Sequence, residues 1–244
     1  MKILQLNCNG IKNKWEEIQL WMKEKDIKIA ALQETKLNEK SKLTESSQYT
    51  LVRKDRKQDK GGGLAFLIHK SIPFQSADLP AHQDPHLEIQ GIKVNNLTIL
   101  NIYIPPTSSC APGYSPTLSP YLNMDDALIL GDINAHDPLW FSTMNDTRGS
   151  QLAEEISSSN YATLNEDQPT RLPSNGNPTS PDISLASLPF LPYITWTTHI
   201  SLGSDHLPIV INLETEIKPV PSINKTFTNF RKADWDRFQT LTEA

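Results

Sequence analysis

Apolar side chains in this chain come in short runs, and nearly every run is closed by polar residues. The sharpest is Ala127 to Leu130, whose unbroken character predicts a strand buried on both faces. It ends at Gly131, followed by Asp132 and, one residue on, Asn134. Ile3 to Leu6 predicts a first strand, closed by Asn7-Cys8-Asn9-Gly10. Trp15, Ile18, Leu20 and Trp21, with Met22 beside them, recur at roughly helical spacing, so an amphipathic helix is expected over about 12–25. Ile27 to Leu32 is a second strand, ending in Gln33-Glu34-Thr35. A strand–helix–strand unit of this kind is usually parallel and right-handed. Both strand ends then lie on one rim, and Asn7 and Glu34 are neighbours.

Further strands are predicted at Leu64–His69, Leu87–Val94 and Leu97–Tyr103, and their short spacing suggests a largely antiparallel sheet. Pro105 to Pro120 reads as a surface loop within one domain. A helix is expected from Gly149 to Asn160 and a tight turn at Asn175-Gly176. Strands follow at Ile183–Leu185, Ile194–Thr198 and Leu207–Leu213. Beyond Glu214 the pattern is lost: Pro219 and Pro221 indicate a linker over 215–244, with a short helix starting near Asp234.

A chain of 244 residues, 37% of them hydrophobic, can build one large core, and no internal linker divides residues 1–214. The formal charge of −5 means that any contact with nucleic acid relies on local basic groups and bound metal. One such group is Arg53 to Lys60, which precedes Gly61-Gly62-Gly63. It reads either as a solvated turn or as a phosphate-contacting loop. With only Cys8 and Cys110, a disulfide framework is not expected and a reducing compartment is. No secretion signal is evident, and no apolar run approaches the ~20 residues of a membrane span.

The polar residues at the strand ends are Asn7, Glu34, Tyr103, Asp132 with Asn134, and Asp205 with His206; Asp182 opens a strand. Singly, each has a structural explanation: turn, cap, packing residue or hydrogen-bonded histidine. Jointly they match phosphodiester hydrolysis. Glu34 and Asp205 can supply oxygen ligands to a hard cation such as Mg²⁺. Asp132 can orient or deprotonate water. Asn134, Tyr103 and His206 can donate to phosphate oxygens, with Asp182 orienting His206. No zinc spacing, phosphate-binding Walker loop or dinucleotide fingerprint is present.

The segments Leu6 to Gly10, Gln33-Glu34-Thr35, Asn101 to Pro106, Gly131 to His136, Ser180 to Ile183 and Ser204 to Ile209 occur in the order found in the exonuclease–endonuclease–phosphatase superfamily. More narrowly, residues 1 to about 214 resemble the apurinic-endonuclease-like domain of non-LTR (LINE-type, Jockey-like) retrotransposons, and Phe230 to Trp235 resembles the connector to a reverse transcriptase. The resemblance implies a DNase I-like fold, a four-layered α/β sandwich of two packed mixed β-sheets flanked by helices. It implies a metal-dependent nick in one strand of double-stranded DNA, in the nucleus, leaving a 3′-hydroxyl that primes reverse transcription. By motif, Glu34, Asn7 and Asp205 would hold Mg²⁺ or Mn²⁺. Asp132 and Asn134 would handle water, and Tyr103 and His206, with Asp182, the phosphate. Asn9 stands where relatives often carry Asp. The turn near Asn175 resembles a groove-inserting hairpin, making Thr170, Arg171 and Asn175 DNA contacts. Other readings are a phosphatase of the same superfamily, an abasic-site endonuclease, and a silent DNA-binding module.

Overall fold

A computed structural model describes residues 1–56, 61–81, 84–214 and 235–242. Strands β1 (Lys2–Asn7) and β2 (Ile27–Gln33) are joined by helix α1 (Trp15–Glu24) and pair in parallel, with Asn7 opposite Gln33. α1 buries Trp15, Ile18 and Met22, and Glu16 and Glu17 lie in its first turn, where the helix dipole favours negative charge. Leu20, expected on the buried stripe, faces solvent instead, because Trp15, Ile18 and Met22 already complete that stripe.

The chain continues through β3 (Tyr49–Lys54), β4 (Leu64–His69), β5 (Gln75–Ser76), β6 (Glu88–Val94), β7 (Leu97–Tyr103) and β8 (Ala127–Asp132). Helix α2 (Thr147–Ser157) is capped by the Asp146 carboxylate, which accepts from the Gly149 N–H at 2.7 Å. β9 (Tyr161–Thr163), β10 (Asp182–Ser187), β11 (Ile194–Thr198), β12 (Ile209–Leu213) and α3 (Trp235–Thr242) complete it. Of the linker expected over 215–244, residues 215–234, 243 and 244 lie outside the described residues. Among the described residues, no helix is long and apolar enough to cross a membrane.

Two six-stranded sheets result, ordered β11-β12-β1-β2-β4-β3 and β5-β6-β7-β8-β10-β9. Each has a parallel pair at its centre, β1 with β2 and β7 with β8. The antiparallel sheet expected from 64 to 103 is divided. β4 pairs with β2 and β3, whereas β6 and β7 belong to the second sheet. Periodicity identifies a strand; it does not choose the strand's partner.

Alternation along the strands makes three apolar layers. Leu4, Leu6, Ala30 and Leu32 pack outward against α1, and Ile102, Ile129, Ile183 and Leu185 outward against α2. Ile3, Ile29, Ile99, Leu128 and Leu130 fill the space between the sheets. The product is the four-layered sandwich. Leu118, Tyr121 and Leu122 are buried in the second outer layer, so the end of the Pro-rich loop covers core rather than running free over the surface.

Between the sheets the inward positions change character along each strand, from Ile3 to Gln5 to Asn7, Ile29 to Gln33, Ile99 to Asn101 to Tyr103, and Leu130 to Asp132. The buried amides cross-link the sheets. Gln5 Nε2 donates to the Gly131 and Ile183 carbonyls at 3.2 and 3.1 Å. Asn101 Nδ2 returns the bond to the Leu32 and Ala65 carbonyls, both at 3.1 Å. Ser184 Oγ joins Gln5 Oε1 and Trp196 Nε1, and Gln33 Nε2 donates to Asn101 Oδ1 at 2.7 Å. Leaving a buried acceptor without its donor costs roughly 1–3 kcal/mol. Asn101→Ala strips the Leu32 and Ala65 carbonyls together, so urea unfolding is expected to show a loss of about 3 kcal/mol or more. An unchanged midpoint would remove the cross-link from the account.

Candidate active site

The site forms where the inter-sheet layer becomes polar. Tyr103, Asp132 and Asp182 sit side by side in register across β7, β8 and β10. From the other sheet, Asn7 at the end of β1 donates through Nδ2 to Asp132 Oδ2 at 2.8 Å and Glu34 Oε1 at 3.2 Å. Asn7 and Glu34 are thus neighbours, as the parallel strand–helix–strand unit requires. Tyr103 OH donates to the same Glu34 oxygen at 2.9 Å. Gly131 is needed before Asp132 because a Cβ there would lie 2.0 Å from the Ile102 carbonyl oxygen.

His206 lies in the loop before β12, and its Nδ1 is 2.8 Å from Asp182 Oδ2. Its Nε2 points towards Asp132, 3.9 Å from Oδ2. All three residues are at least 95% buried. Burial opposes the imidazolium, but Asp182, with Asp132 and Asp205, outweighs it and pushes His206 up to about 9. Burial pushes Asp132 the other way for a carboxyl, up to about 7; the His206 charge opposes this rise and Asp182 adds to it. Asp132 also accepts from the Asn134 N–H at 2.9 Å and Asn134 Nδ2 at 3.2 Å. A base poised near neutrality thus faces a protonated imidazole, the pairing that water activation and oxyanion stabilisation require.

At the rim, burial would raise Glu34, but donors from Asn7, Lys36 and Tyr103 hold its carboxyl below the usual value. Tyr103 is pushed up by burial and by Glu34 and stays a neutral donor. Asp205 is also held low: burial opposes this, but the Arg171 side chain, 2.7–2.8 Å away, prevails. The two rim carboxylates are linked through Lys36 and Asn9: Lys36 Nζ is 3.1 Å from Glu34 Oε2 and bonds Asn9 Oδ1, and Asn9 Nδ2 reaches Asp205 Oδ1 at 3.4 Å. Asn9, Glu34, Lys36 and Asn134 all have left-handed backbone, at φ 43°, 48°, 53° and 43°. Such conformations in non-glycine residues gather where a site fixes its geometry.

Asp132, Asp182 and His206 have ligating atoms within 4.8 Å of one another, close enough to hold a metal ion. Their chemistry fits a hard cation poorly. Nδ1 is committed to Asp182, and burial leaves little room for the waters Mg²⁺ retains. Glu34 and Asp205 fit better: both are rim carboxylates, with side chains 19% and 26% exposed, and each is already neutralised by a cation that a metal would displace. Asn7 presents its nitrogen to the Glu34 and Asp132 carboxylates, while its Oδ1 accepts from the Asn9 N–H at 3.0 Å.

The predicted turn is the tip of an arm at 170–179, closed by backbone bonds between Arg171 and Thr179 and tied to the loop before β12 by Leu172 N–H to the Asp205 carbonyl at 2.7 Å. Asn175 is exposed at the tip, and Arg171 and Asn175 line an open cleft of about 600 Å³ shared with Asn9 and Asp205. Thr170 is a correction to the expected DNA contacts. It is fully buried, and its hydroxyl donates to Asp182 Oδ2 at 2.7 Å, so it positions the Asp182–His206 pair. In the basic segment, left open between a solvated turn and a phosphate-contacting loop, Arg53 is bound to Asp55 and to the Ser41 and Asn38 carbonyls, and Arg56 to Glu88. Residues 57–60 lie outside the described residues. Lys36, Gln5, Gln33 and Asn101 join the site or its support in the structure but are not among the site residues expected from the sequence. The signal for the last three was a polar residue at an inward position of an apolar strand.

This fold, with the polar strand ends of two central parallel pairs meeting at one rim of a double sheet, is shared with solved nuclease structures. The solved endonuclease domain of TRAS1, a telomere-specific non-LTR retrotransposon, superposes with a TM-score of 0.68 at 20% identity, covering 88% of this chain and 99% of that one. An AP endonuclease from Archaeoglobus fulgidus gives 0.69 at 17%, covering 88% and 100%. More particularly, residues 97–210 match the model of the domain family described as Endonuclease-reverse transcriptase. Over 234 residues the chain is 27% identical to the probable RNA-directed DNA polymerase from transposon BS of Drosophila melanogaster, covering 91% of this chain and 26% of that protein. The chain spans about a quarter of the length of the curated relatives it matches.

Because the folded His206 value lies above that of a free histidine, its contribution to stability is complete below pH 6.5 and is lost as pH rises through about 9. Proton-detected NMR of the imidazole is expected to show a midpoint near 9. Asp182→Asn should bring the midpoint to 6.5 or below, since burial then acts against a weaker attraction. A wild-type midpoint near 6.5 would contradict the pairing described above.

Proposed function

We propose that the chain is a metal-dependent endonuclease that cuts one strand of duplex DNA and leaves a 3′-hydroxyl for reverse transcription of a retrotransposon RNA. The observation that carries this reading is Asp132, with its raised pKa, held between the Asn7 amide and the His206–Asp182 pair at an open rim. Residues 1–214 form the nuclease, and 215–244 lead towards a reverse transcriptase in the same polypeptide. With chromosomal DNA as its substrate, the chain would act in the nucleus.

Asp132 takes a proton from water as the water oxygen attacks phosphorus. The bond from phosphorus to the 3′-oxygen breaks, and that oxygen leaves and takes a proton from solvent. The products are a 3′-hydroxyl and a 5′-phosphate. The protonated His206, the Tyr103 hydroxyl and Asn134 contact the phosphate oxygens, where negative charge builds up. Asp182 and Thr170 keep the imidazole oriented. Glu34 and Asp205, with Asn7 between Glu34 and Asp132, would hold Mg²⁺ or Mn²⁺, which supplies charge neutralisation and lowers the barrier to departure of the 3′-oxygen. Arg171 and Asn175 line the path of the duplex.

Supercoiled plasmid is expected to relax in Mg²⁺ and to stay intact in EDTA. Asp132→Asn should slow nicking by about 10²–10⁴-fold, the range for loss of a general base, and His206→Ala by about 10²–10³-fold, as for loss of an oxyanion donor. Both variants should keep the wild-type far-UV circular dichroism. Metal-independent nicking, or full activity in Asp132→Asn, would overturn the assignment.

A further inference from the structure

Arg148 is 94% buried, yet among the described residues no carboxylate lies within ion-pairing distance of it. A buried guanidinium without a counterion is costly, so its neutral partners must hold it well. Nη1 donates to the Pro105 carbonyl at 2.8 Å and reaches those of Asn134 and Ile133 at 3.3 and 3.5 Å. Nη2 is 3.5 Å from Cys110 Sγ, and the guanidinium carbon lies 5.7 Å from the centre of the Tyr114 ring. These partners come from two loops, the one after β7 and the one after β8. The second carries Asn134.

The next residue closes the same joint. A Cβ on Gly149 would lie 1.9 Å from the His136 carbonyl oxygen, so the first turn of α2 sits directly on the loop of 133–136. The Asp146 N–H also donates to that oxygen, at 3.0 Å. Asn134 is held at both ends. Its carbonyl faces Arg148, and its Nδ2 donates to the Ile104 carbonyl at 2.9 Å and to Asp132 Oδ2 at 3.2 Å. Its backbone is left-handed, a conformation with no regular ladder to support it.

We propose that Arg148 is a positioning residue for the reaction: it clips the loops after β7 and β8 together and holds Asn134 in its left-handed conformation against Asp132. This rests on the endonuclease reading for its effect on rate, but not for its effect on Asn134. A lysine would carry the charge without the planar fork that spans both loops, so Arg148→Lys is not conservative here. A displacement of about 1 Å in a reacting constellation costs up to about 10²-fold.

The test uses the whole chain with Mg²⁺ and duplex DNA, for wild type, Arg148→Lys and Arg148→Ala, at a temperature where circular dichroism shows each folded. Arg148→Lys is expected to lower kcat by about 10–100-fold and to leave KM for DNA within about threefold. Millimolar guanidinium should partly restore Arg148→Ala, an effect opposite to its action as a denaturant. Hydrogen exchange of the Asn134 side-chain amide, followed by NMR without DNA or metal, should quicken in both variants. Wild-type kcat in the folded variants, or unchanged Asn134 exchange, would overturn the proposal. If wild type does not nick at all, the functional reading fails while the exchange measurement still decides the positioning role.

Discussion

Two buried amides set the terms for everything above them. Gln5 in one sheet and Asn101 in the other each donate to two carbonyls across the interface. Sheets packed through apolar side chains alone could slide, since hydrophobic contact is non-directional. Directional bonds between them fix which strand ends face each other. That alignment brings Asn7 from β1 within hydrogen-bonding distance of Asp132 from β8, two residues 125 apart in sequence. The bonds lie midway between an apolar end of the layer and a polar one, so the core passes into the site without an open boundary.

The electrostatics above this floor follow from burial. Three carboxylates surround His206, two of them buried, and a low-dielectric setting magnifies their pull on its proton. The same setting raises Asp132. A buried acid and a buried imidazole at 3.9 Å share their charge state, so removing either partner changes the other. Further out, Lys36 and Arg171 balance Glu34 and Asp205. An acidic chain can therefore present a polyanion with a rim whose carboxylates are already neutralised.

Much of the site was legible in the sequence because strand ends announce themselves. An apolar run that stops at a polar residue fixes both the strand and the position of that residue at its end, as with Asn7, Tyr103 and Asp132. The parallel β1–α1–β2 unit followed from spacing alone. The sheet membership of β4 and β6 was not legible, because strand pairing is decided by contacts distant in sequence. The short strands β5 and β9 carry too few residues for alternation to register. Thr170 is not legible as a buried residue because its neighbour Arg171 lies half-buried at the cleft while Thr170 points into the core. Gln5 interrupts an apolar run and was visible, but only the second sheet gives it something to bind. Arg148 has no sequence signature: it precedes the helix expected from Gly149, and only the structure puts it in the first turn of α2.

The central proposal is that the convergent strand ends hydrolyse a DNA phosphodiester on its 3′-oxygen side. The most direct test is to treat supercoiled plasmid with the protein and Mg²⁺, then offer the nicked circles to a DNA polymerase with labelled nucleotides and no end-processing enzyme. Label entering at the nicks, absent when EDTA accompanies the protein, is the predicted result. Nicks that accept label only after a phosphatase has removed a 3′-phosphate would contradict it.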